Sequence, residues 1–159
     1  MSINKIRWLT VFLSFIFAAI LELNILPESL AFLRPEWLVL TLVYWLLRHP
    51  EKIGIVTGVV IGLIMDVLSG SYFGVHVLSL SLICYLVLTM HKRLKMFPLV
   101  QQSVVVFFLV SIQLMVVYSL RSVLGVSDIG LAYLWQALSS AVFWPVIVIL
   151  YDRLAFALR

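Results

Sequence analysis

Residues 99–120 read LVQQSVVVFFLVSIQLMVVYSL, a run that contains no charged side chain. A helix needs about 20 predominantly apolar residues to cross the hydrocarbon core of a bilayer, and this run is long enough. Gln101, Gln102 and Gln113 interrupt it, but amide side chains are tolerated in spans where they bond to neighbouring helices. The run therefore predicts a transmembrane helix.

The composition of the whole chain agrees with this prediction. The 159 residues are 64% hydrophobic and only 11% charged, and the mean hydropathy is +1.18. Soluble domains carry about 25% charged residues, so this chain lacks the polar side chains that a water-facing surface requires. The composition excludes a soluble enzyme, a nucleic-acid-binding protein and a secreted scaffold as default classes, and it indicates an integral membrane protein.

Five further apolar runs lead us to predict one polytopic membrane domain over residues 1–159. We expect an all-α bundle of six transmembrane helices, at residues 8–26, 35–47, 53–68, 75–90, 99–120 and 131–150. The second run is short for a crossing, so it requires either thinned lipid or shelter from neighbouring helices. Pro145 is expected to interrupt the last helix.

The basic residues predict the orientation. Nine of the eleven fall on one side of a six-span topology: Lys5, Arg7, Arg48, Lys52, Lys92, Arg93, Lys95, Arg153 and Arg159. Only Arg34 and Arg121 fall on the other side. Because cytoplasmic loops are enriched in Lys and Arg, both termini are predicted to be cytoplasmic. If the second and third helices formed a re-entrant pair, Arg48 and Lys52 would no longer lie on the same side as the other basic residues. Six full crossings are therefore preferred.

Two acidic residues near the predicted outer side are candidates for function, because ionisable groups in a membrane are costly. We expect Glu22 to be an interfacial carboxylate solvated by headgroup water. Asp66 is expected either to bond to the backbone amides of the loop at residues 69–74 or to pair with Arg34 or Arg121. Ligand or proton binding at Asp66 is the less favoured alternative.

Small and polar residues suggest how the helices pack. Gly54, Gly58 and Gly62 share one face of the third run, where a backbone can approach another helix closely. The pattern fits packing within one chain better than a homodimer interface. Hydrogen bonds between helices are expected from Gln101, Gln102, Gln113, Gln136, Ser111, Ser139 and Ser140.

No motif for catalysis or metal binding accompanies these features. His76 and His91 have no Cys or Glu at ligand spacing, and the single Cys84 lies in an apolar run. Hydrolase, phosphate-binding and zinc-protease motifs are absent from the sequence. We therefore predict a protein that is not an enzyme and needs no cofactor or metal.

An ordered set of residues resembles the MreD family of rod shape-determining membrane proteins. It comprises Arg34-Pro35-x-Trp37, then Tyr44-Trp45, then the glycine-spaced third run, which leads through Asp66 into Ser69-Gly70 and Gly74. The Gln101-Gln102 pair and Trp144-Pro145 agree as well. The resemblance covers essentially the whole chain, and residues 32–74 are its most specific part.

The resemblance implies an inner-membrane component of the bacterial cell-elongation machinery. Expected partners are membrane lipid, the bitopic protein MreC, the MreB filament, and the transpeptidase and glycosyltransferase that build side-wall peptidoglycan. It also implies a bundle similar to the substrate-capture subunits of energy-coupling-factor transporters. A small-molecule-binding or transport subunit is therefore the alternative function.

Two interaction sites follow as hypotheses. The first three spans, with Glu22, Arg34 and Asp66 at their outer end, are expected to dock a transmembrane helix of a partner. The cluster of Lys92, Arg93 and Lys95 is expected to attract anionic lipid or a cytoplasmic filament, or simply to orient the chain.

Overall fold

The computed structural model describes residues 8–24, 33–70, 72–125 and 132–157. Within these ranges the chain forms six helices and no strand: α1 (Trp8–Asn24), α2 (Trp37–Arg48), α3 (Ile55–Leu68), α4 (Val75–Met96), α5 (Leu99–Val123) and α6 (Ala132–Ala157). The prediction of an all-helical membrane protein is confirmed. Residues 25, 26 and 131 of the predicted spans lie outside the described residues, as do Lys5, Arg7 and Arg159.

Several helices extend beyond their predicted ends. The prediction ended the fourth helix before the basic cluster, but α4 includes it and ends at Met96. Lys and Arg are good helix formers, and cations are favourable in a last helical turn, so the charges do not stop the helix. Pro98 does, because the residue before a proline disfavours helical geometry. Pro145 was expected to interrupt α6, yet the helix continues through it.

The short helix α2 forms the centre of the bundle. Every residue from Leu38 to Leu47 is buried, so α2 is surrounded by protein rather than by lipid. At 1.5 Å per residue its 12 residues span about 18 Å. Because α2 is enclosed, its length does not have to match the thickness of the hydrocarbon core. Shelter by neighbouring helices, one of the two expected solutions, is what the structure shows.

The other helices surround α2. Close packing joins α3 to α4, α4 to α5, and α5 to α6, while α2 packs against α1, α4 and α6. The helices α1 and α3 are not closely packed against each other within the described residues. The bundle is therefore least closed on the side between α1 and α3.

Among the described residues, three helices have the length and composition needed to cross a membrane, namely α4, α5 and α6. The apolar helices α1, α2 and α3 are shorter in the described part of the chain. Many large apolar side chains on the outside of the bundle are exposed, including Phe12, Val60 and Phe108. Such a surface suits contact with lipid or with another apolar helix.

Candidate functional site

Polar residues collect at one end of the bundle, which we call the Glu22 end, after Glu22, Arg34, Glu36, Asp66 and Arg121. Glu22 Oε1 accepts a hydrogen bond from Arg34 at 3.3 Å, and Glu22 Oε2 accepts one from the backbone amide of Trp37 at 3.0 Å. The carboxylate of α1 thus caps the first turn of α2, where the helix dipole favours an anion.

Glu22 is therefore not the headgroup-solvated carboxylate that the sequence predicted. Its side chain is only 10% exposed. The sequence places it near the end of a span, where solvation is the simple expectation. The fold instead brings Arg34 and the start of α2 over it, so that protein groups replace water.

A second connection at this end joins α2 to α6. The backbone amide of Glu36 donates to Ser140 Oγ at 3.0 Å, and Ser139 Oγ donates to the carbonyl oxygen of Leu33 at 2.6 Å. Both serines were expected to bond to other helices, and they bond instead to the segment just before α2. Together with Glu22, they tie the segment that contains Pro35 and Trp37 to both α1 and α6.

Asp66 holds the turn between α3 and α4. Its carboxylate accepts hydrogen bonds from the backbone amides of Gly74 at 2.7 Å and His76 at 3.0 Å, and His76 Nδ1 lies 2.8 Å from Oδ1. Bonding to backbone amides, one of the predicted alternatives, is therefore observed. Gly70 and Gly74 have φ values of 58° and 105°, which side chains disfavour. Ser69 ends α3 at the start of this turn.

The three glycines of the predicted third span, of which Gly58 and Gly62 lie in α3, differ in their surroundings. A Cβ atom at Gly62 would lie 2.5 Å from Val77 Cα, and one at Gly58 would lie 2.5 Å from Cys84 Sγ. Both glycines thus allow close approach of α4 within the same chain. A Cβ atom at Gly54 would meet nothing within 4 Å.

A partly open cavity of about 340 Å³ lies at the Glu22 end. Residues of all six helices and of the segment before α2 line it. Its polar lining comprises Glu22, Arg34, Glu36, Ser69, His76, Gln113, Tyr118, Arg121 and Gln136. The structure thus brings the predicted site residues Glu22, Arg34 and Ser69 to one cavity. Asp66 adjoins it through His76.

Gln113 is the most unusual side chain of this lining. It is fully buried, and neither Oε1 nor Nε2 has a hydrogen-bond partner. The prediction that Gln113 bonds to another helix is wrong, because no donor or acceptor of a neighbouring helix lies within hydrogen-bond distance of its amide. By contrast, Gln102 accepts a hydrogen bond from Trp144 Nε1 at 3.2 Å and so joins α5 to α6 as predicted.

Sequence reasoning missed Glu36, His76 and Gln113 as site residues. Glu36 lies between Pro35 and Trp37 of the family motif, and one acidic residue among so few charges is itself a signal. His76 was set aside because it had no metal-ligand neighbours in sequence. Its pairing with Asp66 depends on the turn between α3 and α4, which residue spacing does not reveal.

The opposite end, which we call the Arg48 end, contains Arg48, Lys52, Lys95 and Asp152. Asp152 accepts hydrogen bonds from Tyr44 Oη at 2.7 Å and from Arg48 at 2.5 Å. Both charged side chains of this ion pair remain nearly half exposed. Burial lowers the pKa of His49, and the positive charges of Lys52 and Lys95 act in the same direction.

The predicted basic cluster lies at this same end. Lys92, Arg93 and Lys95 are exposed in the last turns of α4, while Leu94 between them is buried. Their long side chains can extend from the helix to a headgroup region. No group of three His, Cys, Asp or Glu suited to a metal ion occurs in the described ranges.

These features identify a helical membrane protein whose polar residues mainly join its helices. The family model for the rod shape-determining protein MreD matches residues 2–154. The rod shape-determining protein MreD of Haemophilus influenzae is 31% identical over 149 residues, which cover 94% of this chain and 92% of that protein. No solved structure matches the chain.

The chain belongs to the MreD family. This is a family of structural, shape-determining membrane proteins rather than enzymes, so the prediction of a non-enzymatic protein is confirmed. Membership supports a role in determining rod shape.

Proposed function

We propose that this protein is a membrane scaffold of the cell-elongation complex. In this role it binds the bitopic protein MreC and helps to couple the MreB filament to the synthesis of side-wall peptidoglycan. The observation that carries the proposal is the family match over residues 2–154. The fold is compatible with it, because the described connections at residues 49–54 and 97–98 are too short to form a separate binding domain. Partner contacts therefore fall on helix faces and short loops.

The side of the bundle between α1 and α3 is the proposed docking face for a transmembrane helix of MreC. There α3 packs against α4 but not closely against α1. Val60 and Ile64 of α3 are about half exposed, and we assign them to this docking face. Because apolar side chains gain nothing from leaving lipid, such a contact relies on shape, and a helix fitted between two others offers the largest matching surface.

The polar residues of the Glu22 end support this docking face from within. Glu22 and Arg34 fix α1 to α2, and Asp66 fixes α3 to α4, so α1 and α3 on the two sides of the docking face are each held to a neighbouring helix. Gly58 and Gly62 contribute in the same way, since they seat α3 on α4. The direct contacts are proposed to be made by outward apolar positions.

The docking face can be tested with a matched pair of tryptophan substitutions. Val60 on α3 is 50% exposed and Val104 on α5 is 53% exposed. Val60→Trp should lower co-purification of MreC at least fivefold, and Val104→Trp should leave it unchanged. Both variants should unfold at the temperature of the parent protein, since both positions point away from the core.

Different results would contradict the docking face and the proposed partner. Equal capture of MreC by the parent and both variants would move the docking face elsewhere on the bundle. No capture of MreC by the parent chain in detergent or nanodiscs would overturn the proposed partner itself.

We also propose six crossings of the bacterial inner membrane with both termini in the cytoplasm. Arg48, Lys52, Arg93 and Lys95 lie at one end of the bundle, and the bond from Arg48 to Asp152 brings the C-terminal part of α6 to that end. By the positive-inside rule this end faces the cytoplasm. We assign orientation to Lys92, Arg93 and Lys95, with attraction of anionic headgroups as an accompanying effect.

Cysteine labelling in cells tests this topology. Phe73→Cys, in the turn after α3, should react with a membrane-impermeant maleimide in intact spheroplasts. Glu51→Cys, in the turn after α2, should react only after lysis. Cys84 is buried and serves as the internal background. The opposite labelling pattern would reverse the proposed orientation.

A further inference from the structure

The cavity at the Glu22 end has the properties of a ligand site. Its volume of about 340 Å³ lies within the range of small-molecule pockets, which is roughly 300–1,000 Å³. Polar groups from several helices converge on it, whereas most of the bundle interior is apolar. A cavity that served only helix packing would be filled by side chains.

Gln113 supplies the first independent observation that points to a ligand. Its amide is fully buried against the cavity, and both its donor and its acceptor lack partners. Buried polar groups in native proteins nearly always bond to protein or to an ordered molecule. An amide with both functions open can bond to a molecule that offers an acceptor and a donor together.

The charges of the cavity supply the second observation. Glu22 and Arg34 pair with each other. Glu36 and Arg121 remain, and within the described residues the side chain of neither makes a hydrogen bond or ion pair. Glu36 is only 6% exposed. Arg34 and Arg121 attract its carboxylate without contacting it. Because a buried carboxylate without a contacting partner is costly, Glu36 requires either a proton or a cationic group.

We propose that this cavity binds a small dipolar group that carries a primary ammonium and an anion. The ammonium pairs with Glu36, the anion pairs with Arg121, and the Gln113 amide bonds to polar atoms between them. The ligand has no net charge, which matches the balance of two carboxylates and two guanidinium groups in the lining. Two sources share this chemistry: a free amino acid or short peptide, and the headgroup of an ethanolamine phospholipid.

The soluble source is tested with the full-length chain in phosphatidylglycerol nanodiscs. Thermal unfolding is followed against the concentration of glycylglycine, N-acetylglycylglycine and glycylglycinamide. A ligand that binds only the folded state raises the unfolding temperature in a saturable way. Glycylglycine should do so, and each blocked form should bind at least tenfold more weakly because one charge is lost.

The lipid source is tested by changing the nanodisc. If the headgroup is the ligand, phosphatidylethanolamine should raise the unfolding temperature and abolish the response to glycylglycine. Phosphatidylcholine should do neither, since its quaternary ammonium has no N–H to donate to Glu36. Either source supports the site, and competition between them identifies the natural one.

Variants then assign the response to this cavity. Gln113→Leu, Glu36→Gln and Arg121→Gln should each weaken the response at least tenfold. Arg153→Gln, which removes an exposed cation from the C-terminal part of α6, should keep it. Gln113→Leu should unfold no earlier than the parent without ligand, so its loss of binding cannot be ascribed to misfolding.

Two results would overturn the proposal. One is the absence of any response to glycylglycine and to phosphatidylethanolamine, which would mean that the cavity holds water only. The other is equal binding of glycylglycine and its blocked forms, which would mean that Glu36 and Arg121 do not recognise opposite charges.

Discussion

The two ends of the bundle both carry charged side chains, but in different settings. At the Glu22 end, Glu22 and Asp66 are buried and accept hydrogen bonds from backbone amides of neighbouring elements. At the Arg48 end, Asp152 pairs with Arg48 while both side chains stay nearly half exposed. Burial makes an electrostatic contact matter more, because water no longer competes for the same groups.

The difference suggests that the Glu22 end carries the specificity of the fold. Its polar groups set the spacing of α1, α2, α3 and α4, and its cavity leaves one buried amide unsatisfied. The Arg48 end mainly presents exposed cations. Paired substitutions, one at each end of the bundle, test whether the two ends differ in this way.

Neutralising the two aspartates should give the largest difference. Asp66→Asn removes the charge from a buried group with several hydrogen bonds and should cost about 3 kcal/mol of unfolding free energy. Asp152→Asn affects an exposed pair and should cost less than about 1 kcal/mol. Unfolding by SDS titration of the purified variants measures both. Equal losses would show that burial does not separate the two ends.

Adding a methyl group at Gly62 of α3, or at Gly54 just before α3, should give the next largest effect. Gly62→Ala places Cβ against the backbone of Val77, which cannot rotate away, and should cost about 2 kcal/mol. Gly54→Ala meets no atom within 4 Å and should cost less, about 1 kcal/mol or below, because Ala is only a poorer residue than Gly at the N-cap of a helix. Unfolding temperatures in nanodiscs provide the measurement. If Gly62→Ala left the unfolding temperature unchanged, α3 would be free to move away from α4.

Replacing one arginine at each end should give a smaller contrast. Arg34→Gln leaves the buried Glu22 without its cation and should cost about 1–2 kcal/mol, with the amide of Trp37 as the remaining partner. Arg48→Gln breaks an exposed pair and should cost less than about 1 kcal/mol. The same SDS titration applies. If added salt weakened the Arg34–Glu22 and Arg48–Asp152 pairs equally, the Arg34–Glu22 pair would be as solvated as the exposed one.

Two glutamines of α5 should respond in opposite directions, each by about 1 kcal/mol. Gln113→Leu removes an amide without partners and should raise the stability of the ligand-free protein. Gln102→Leu removes bonds to Leu94, Phe97 and Trp144 and should lower it. Thermal unfolding in nanodiscs compares them. If both variants unfolded at a lower temperature than the parent protein, Gln113 would already have an ordered partner.

Much of the fold could be predicted because lipid imposes simple demands on a sequence. The uncharged run at residues 99–120 and its neighbours indicate helices, since a backbone in hydrocarbon must satisfy its own hydrogen bonds. The turn around Asp66 could be anticipated for a local reason. The Asp66 carboxylate accepts a hydrogen bond from the backbone amide of Gly74, which lies only eight residues later in the chain. Gly70 and Gly74 allow the positive φ values by which the backbone reverses direction between them.

The partners of Glu22, Asp152 and Gln113 could not be predicted in this way. Glu22 was expected to be solvated by headgroup water, but Arg34, which lies 12 residues further along the chain, pairs with it. Asp152 of α6 pairs with Arg48 at the end of α2, 104 residues away. Gln113 was expected to bond to a neighbouring helix and instead borders a cavity. A hydropathy pattern states that a polar residue is costly in a membrane, but not which group compensates for it.

The sequence by itself determined the class of the protein, the helical character of its apolar runs and its resemblance to the MreD family. These follow from local properties: hydropathy, charge, glycine spacing and the order of a few residues. Only the tertiary structure decided that α2 lies at the centre, that Glu22 caps it, and that Glu36, Gln113 and Arg121 border one cavity. Each of these depends on contacts between residues far apart in the chain, where the packing of six helices sets the distances.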